Sequence, residues 1–191
     1  MYAYFRGRVV RANRLDKSGP CEVWLEAGSV GYRLLVAVFT AKHLRLEQEA
    51  VLYVSVSAAF YGGETTLYGF LSEEDRALFE LLRGVPGTGA KKALDYFDKI
   101  QEKSPLTFLQ GLVRGDAKGL AGFFGFTPKT ATKMLANLKD LAQPLLKKFA
   151  VKAPVVSGAD GEASSEGLPW VDPDLWERAR EALTALGFDH R

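Results

Sequence analysis

The sequence predicts an α+β protein: a small β-barrel over residues 1–71, an all-helical domain over 72–149, and one short C-terminal helix beyond a linker. Three observations predict it. Apolar and polar residues alternate with period two in short runs up to residue 71, each run bounded by Gly, Pro or Ser. The period becomes helical at Ser72. Residues 150–168 are dominated by Ala, Gly, Ser, Pro, Val and acids, the composition of a flexible linker.

Strands are predicted at residues 2–12, 21–27, 31–38, 51–59 and 65–71, all rich in Val, Tyr, Phe, Leu and Trp. The run Val51-Leu52-Tyr53-Val54-Ser55-Val56-Ser57 shows the alternation most clearly. Turns are marked by Lys17-Ser18-Gly19-Pro20, Gly28-Ser29-Val30-Gly31 and Gly62-Gly63, and a short helix at 40–46 interrupts the series. Five strands in some 70 residues suit a closed barrel. The oligonucleotide-binding (OB) fold is the commonest of that size, and an SH3-like barrel would share the pattern.

The helical domain opens on Ser72-Glu73-Glu74-Asp75, an N-cap serine with acids in the first turn. Leu78, Phe79, Leu81 and Leu82 form its apolar stripe, and Gly84 is placed to stop it. A helix at 91–100 follows. Ser104-Pro105 opens another with a cap and a first-position proline, and Asp116 caps the next. Thr127-Pro128 begins the last, predicted to end near Leu141. Beyond the linker, residues 169–191 hold one amphipathic helix after Asp172-Pro173. Leu175, Ala179, Leu183 and Leu186 share its apolar face, which a single helix cannot bury by itself.

The chemistry lies in Val85-Pro86-Gly87-Thr88-Gly89-Ala90-Lys91-Lys92. An apolar helix ends, a Gly-x-Gly turn follows, and a second helix begins at once. The glycines suit unusual φ values and close backbone approach. The turn amides and the free amides of the next helix form a concavity for a phosphate. Lys91 and Lys92 oppose the dipole of the helix they begin, so their placement points to function rather than helix stability. A Walker A loop fails because Ala90-Lys91-Lys92 replaces Gly-Lys-Ser/Thr. A dinucleotide fingerprint fails because Lys92 occupies the third glycine position and a helix precedes.

A second copy at Gly125-Phe126-Thr127-Pro128-Lys129-Thr130 aligns Gly125 with Gly87 and Thr127 with Gly89. Pro128 removes one amide and Thr127 can cap by side chain, so Lys129 and Lys133 are expected to carry more of any phosphate attraction here. These are the spacings of a tandem helix-hairpin-helix domain that binds duplex DNA through its backbone.

Composition narrows the alternatives. Hydrophobic residues at 47% and charged residues at 25% fit a globular chain. No segment is apolar enough to span a bilayer, no export signal opens the chain, and the single Cys21 fits a reducing cytoplasm. Residues 72–149 carry 13 Lys+Arg against 9 Asp+Glu, whereas residues 150–191 carry 4 against 8, consistent with a polyanion partner for the helical domain. His43 and His190 lie far apart, and no metal site or cofactor is expected. A helix-hairpin-helix glycosylase would need a catalytic acid or lysine after the hairpin, for which Asp95 and Asp98 are the candidate acids. A single-strand binder would stack bases on Trp24, Tyr53, Phe60 or Tyr61, aromatics that in small barrels more often form the core.

The chain resembles the RuvA family, whose members bind Holliday junctions for branch migration. The resemblance covers nearly the whole sequence: Phe5-Arg6-Gly7, Gly31-Tyr32, Leu67-Tyr68-Gly69-Phe70, an acidic helix with Leu78-Phe79, both hairpins, and Leu138-Lys139-Asp140-Leu141. It implies an OB-fold barrel, the tandem hairpins, and a tethered C-terminal module that contacts a motor, here through Leu175, Leu183 and Leu186. It implies a non-catalytic, cytoplasmic homotetramer, or an octamer on DNA. That assembly would hold four-way junction and duplex DNA for a RuvB-type hexameric ATPase in recombination, DNA repair and the SOS response. The family's junction-centre pin, normally two adjacent carboxylates, falls at Gly62-Gly63-Glu64, with Glu64 the single acid. Its C-terminal module has three helices, of which this sequence supplies the first.

Overall fold

A computed structural model describes residues 2–14, 19–58 and 65–152. The pin at Gly62, Gly63 and Glu64, the aromatics Phe60 and Tyr61, the linker beyond residue 152, and the tail with Leu175, Leu183 and Leu186 lie outside the described residues.

Five strands, β1 (Tyr4–Arg14), β2 (Cys21–Ala27), β3 (Val30–Val36), β4 (Glu49–Ser57) and β5 (Thr66–Phe70), close into a barrel in the order β1-β2-β3-β5-β4, as the OB reading requires. Closure depends on β1. Its first half pairs with β4 from Tyr4 to Arg8, and its second half pairs with β2 from Arg8 to Arg14. The register shifts between Val9 and Arg11, a bulge at Val10 that bends the strand from one partner to the other. Gly7 sits where the strands crowd: a Cβ there would lie 2.1 Å from the Glu26 carbonyl oxygen. Phe5, Val9, Val23, Leu25, Leu34, Val36, Leu52 and Val54 fill the interior.

α1 (Val38–Lys42) follows β3, earlier than the predicted 40–46, because the extended Ala37 ends the strand and serves as N-cap. Among the described residues, α1 is followed by α2 (Glu73–Arg83), α3 (Ala90–Gln101), α4 (Pro105–Arg114), α5 (Ala117–Phe124) and α6 (Pro128–Lys152). The predicted caps form: Ser72 accepts from the Asp75 amide, Ser104 from Thr107, and Asp116 from Gly119. α6 passes the predicted end near Leu141, runs through Pro144, and enters the range read as linker. An interior proline costs about 3 kcal/mol, but Ala142 and Leu145 on either side are buried against the helical core, and that packing carries the helix through.

The barrel and helices share a face. β5 is buried on both sides. Gly69 turns inward, where a Cβ would meet Leu34 and Val36 at 3.2 Å, while Tyr68 and Phe70 belong to the helical core. Phe79 of α2 packs on Tyr68 at 5.2 Å and Phe70 at 4.8 Å between ring centroids, and Phe97 of α3 meets Phe70 edge-on at 5.4 Å. Ser55 of β4 hydrogen-bonds Glu80 of α2, and Arg83 donates to Ser55 at 3.3 Å.

Asp98, one of the two acids weighed for catalysis, is structural. Its carboxylate accepts from the Val38 amide at 3.0 Å and the Phe39 amide at 2.8 Å, capping α1 across 60 residues of sequence. Ala37 lacks a capping side chain, so α3 supplies the cap from outside. Burial raises the Asp98 pKa above the ordinary 3.8, against the lowering effect of those two amides. The folded state therefore holds the proton more tightly than the unfolded chain. The resulting stability is present below the ordinary value and is lost as pH rises through the raised one. Asp98→Ala is expected to cost about 1–2 kcal/mol in urea unfolding at neutral pH. The Asp98 carboxyl carbon should titrate above the free-aspartate midpoint by NMR.

Candidate nucleic-acid interface

The two predicted hairpins open onto one cleft of about 200 Å³. Val85, Pro86, Gly87, Thr88, Lys92 and Tyr96 line one side; Thr127, Lys129, Thr130 and Lys133 line the other. No carboxylate borders it, and none of the three lysines forms an ion pair among the described residues.

The turns reach similar shapes by different chemistry. In the first, α2 ends by tightening, with the Gly84 amide donating to Glu80 and Leu81 and the Val85 amide to Leu82. Gly84 is the C-cap of α2, stopping the helix where the sequence predicts, and keeps right-handed dihedrals (φ −65°). The left-handed residue is Gly87, at φ +77°, inside a turn closed by the Thr88 amide to the Val85 carbonyl at 2.9 Å. Gly125 matches it at φ +68°.

Gly89 departs from expectation. It is the N-cap of α3 with ordinary extended dihedrals (φ −75°, ψ 169°), and a Cβ there would meet nothing within 4 Å. The fold does not require glycine at this position. What glycine leaves is an uncapped helix: no side chain among the described residues accepts from the first-turn amides of Ala90, Lys91 and Lys92. At the matching place Thr127 accepts from the Thr130 amide at 3.2 Å and also bonds the Thr130 hydroxyl, while Pro128 has no amide to offer. The first hairpin therefore presents more free donors than the second.

Several predicted site residues take different places. Lys91 is exposed but does not line the cleft, whereas Lys92 does. The Val85 and Phe126 side chains, 3% and 5% exposed, are core. Phe126 packs on Tyr96, Phe108 and Phe124, leaving only its backbone for the surface. Tyr96 was not among the predicted site residues. It lies one turn after Lys92 on the same face of α3, and that spacing was the available signal. Lys103 is engaged elsewhere, bonding the Phe123 carbonyl at the end of α5. Trp24, expected in the core, is 38% exposed on the barrel wall under the Arg11 guanidinium. Tyr53 is half-buried against the helical core.

No protein-family model matches the chain. Curated relatives do. The Holliday junction branch migration complex subunit RuvA of Elusimicrobium minutum is 37% identical over 139 residues, covering 72% of this chain and 65% of that protein, just under two thirds of its length. The subunit of the same name from Chlorobium luteolum is 34% identical over 190 residues, covering 98% of this chain and 82% of that protein. The chain belongs to the RuvA family. The RuvA subunit of Symbiobacterium thermophilum, 34% identical over 192 residues, gives the same coverage of both chains. The match to the Chlorobium luteolum subunit covers 98% of this chain, a span that takes in the barrel and both hairpins.

The differing glycines generate a paired test. Gly87→Ala forces an alanine into left-handed dihedrals and should cost about 1 kcal/mol. Gly89→Ala should add no backbone strain, since its dihedrals and surroundings are open, and should cost only the poorer N-cap that alanine makes, a smaller loss than at Gly87. Thermal denaturation of the two variants side by side checks it.

Proposed function

We propose that this chain is the junction-binding subunit of a branch-migration complex, holding four-way DNA open for a RuvB-type hexameric ATPase. The observation that carries the reading is the convergence of both hairpin turns and three lysines on one cleft, with no carboxylate lining it and no ion pair to those lysines among the described residues. Amides and ammonium groups engage phosphates rather than base edges, which gives affinity with little sequence preference and a steep dependence on salt. One protomer offers two hairpins. A homotetramer, or an octamer closing on both faces of the junction, multiplies those weak contacts on one frame.

In this reading residues 1–71 form the frame and carry the Gly62–Glu64 pin, 72–152 grip the arms, and 153–168 tether residues 169–191, which contact the motor through Leu175, Leu183 and Leu186. Catalysis belongs to the motor: Asp98 holds two backbone amides, and Asp95 is exposed to solvent. No helix among the described residues is long and apolar enough to cross a membrane, and the reading places the protein with DNA in the cytoplasm, in recombination, repair and the SOS response.

The test is a gel-shift titration with a four-way junction, a linear duplex of matched sequence, and poly-dT, repeated across a salt series. Junction DNA should be retained at the lowest protein concentration, with log affinity falling linearly in log salt. Equal affinity for junction and duplex would overturn junction specificity. Tighter binding of poly-dT would replace it with single-strand binding at the barrel face bearing Trp24. Gly87→Val combined with Gly89→Val should weaken junction binding about tenfold or more while the circular dichroism stays helical.

A further inference from the structure

We propose that the outer wall of the barrel carries a second nucleic-acid site, a stacking platform at Trp24 flanked by Arg11 and Arg33 that takes a single strand with its bases unpaired. The strand register builds it. Trp24 of β2 lies opposite Arg11 of β1 on one side and opposite Arg33 of β3 on the other. Its neighbours Val23 and Leu25 are fully buried, so the pleat turns Trp24 outward, and both arginines are exposed beside it. A row of cation, aromatic and cation thus crosses three strands, about 10 Å from end to end. In OB barrels the wall formed by β2 and β3 is the one that meets oligonucleotides. The row shares no residue with the hairpin cleft, so the site goes beyond the junction reading.

The ring is presented and held. Trp24 is 38% exposed, and its indole N–H donates to Glu22 at 2.7 Å, which fixes its orientation. The Arg11 guanidinium lies over the ring, 4.9 Å from its centroid, on a face where a base would stack. An exposed cation–π contact is worth a factor of about two to five, and a stacked base a factor of about five to a hundred. A base therefore displaces the guanidinium and frees it to meet a phosphate. The acids of this wall are engaged, Glu22 by the indole and Glu26 by Arg8, which also holds Glu47. An acidic peptide satisfies the arginines alone, whereas a single strand satisfies the arginines and the ring together.

Fluorescence anisotropy on the full chain tests it, with labelled oligo-dT and a labelled four-way junction as separate probes. Trp24→Ala should weaken oligo-dT binding about tenfold. Trp24→Phe should recover most of that loss by restoring a stacking ring, and Arg33→Gln should reduce the salt slope by about one. Junction affinity and melting temperature should stay unchanged in the Trp24 variants. Gly87→Val with Gly89→Val should release the junction and keep oligo-dT. If Trp24→Ala binds oligo-dT as the parent chain does, the inference fails and the junction reading stands. If poly-glutamate displaces labelled oligo-dT as well as unlabelled oligo-dT of matched charge does, the wall takes acidic chains and the inference fails. If oligo-dT binds in a Trp24-dependent way while no junction is retained, the site stands and the junction reading fails.

Discussion

The structure depends on one joint, the aromatic contact of Phe70 with Phe79 and Phe97, all fully buried. β5 faces the barrel interior on one side and the helices on the other. Phe70 is thus the point where two otherwise separate cores, each closed on itself, become one body. Apolar burial supplies attraction without direction. Direction comes from the polar contacts at its margin, where Ser55 meets Glu80 and Arg83, and Asp98 meets the start of α1. Together they fix which way the hairpins face. Without that fixed direction, two turns on different helices would not share one cleft.

The two hairpins show how one shape can be held by unlike means. A left-handed glycine is common to both, because glycine has no Cβ to penalise that conformation. Past it they diverge. Gly89 leaves the first turn of α3 open to an external acceptor, while Thr127 closes part of the first turn of α6 with its own oxygen. The second hairpin gains local stability by using donors that the first keeps free. Lysine side chains compensate, since Lys129 and Lys133 reach the same volume from the second hairpin that Lys92 reaches from the first.

What could be seen in the sequence divides along a physical line. The caps at Ser72, Ser104 and Asp116 and the turn glycines Gly87 and Gly125 were legible because each obeys a rule spanning four or five residues. The five strands and the closed barrel needed only length, alternation and the family resemblance. Features set by tertiary contact were not legible. The continuation of α6 past Pro144 is decided by what Leu145 packs against, and the cap on α1 comes from Asp98, 60 positions away. Trp24 was assigned inward because small barrels bury aromatics. Its side of the strand is set by register, in which it pairs with Arg11 and Arg33 on the outer wall. Tyr96 was hidden for the opposite reason: an aromatic one turn from core residues looks like core, and all of it except the hydroxyl is.

α3 touches both ends of the molecule's work. Its first turn borders the cleft, and its last turn holds the barrel through Asp98. A 12-residue helix is a rod of about 18 Å, stiff along its axis because every hydrogen bond in it runs that way. A tug on whatever occupies the cleft is therefore not absorbed by a bending loop. One rigid helix thus links the border of the cleft to the start of α1, with no loop between them.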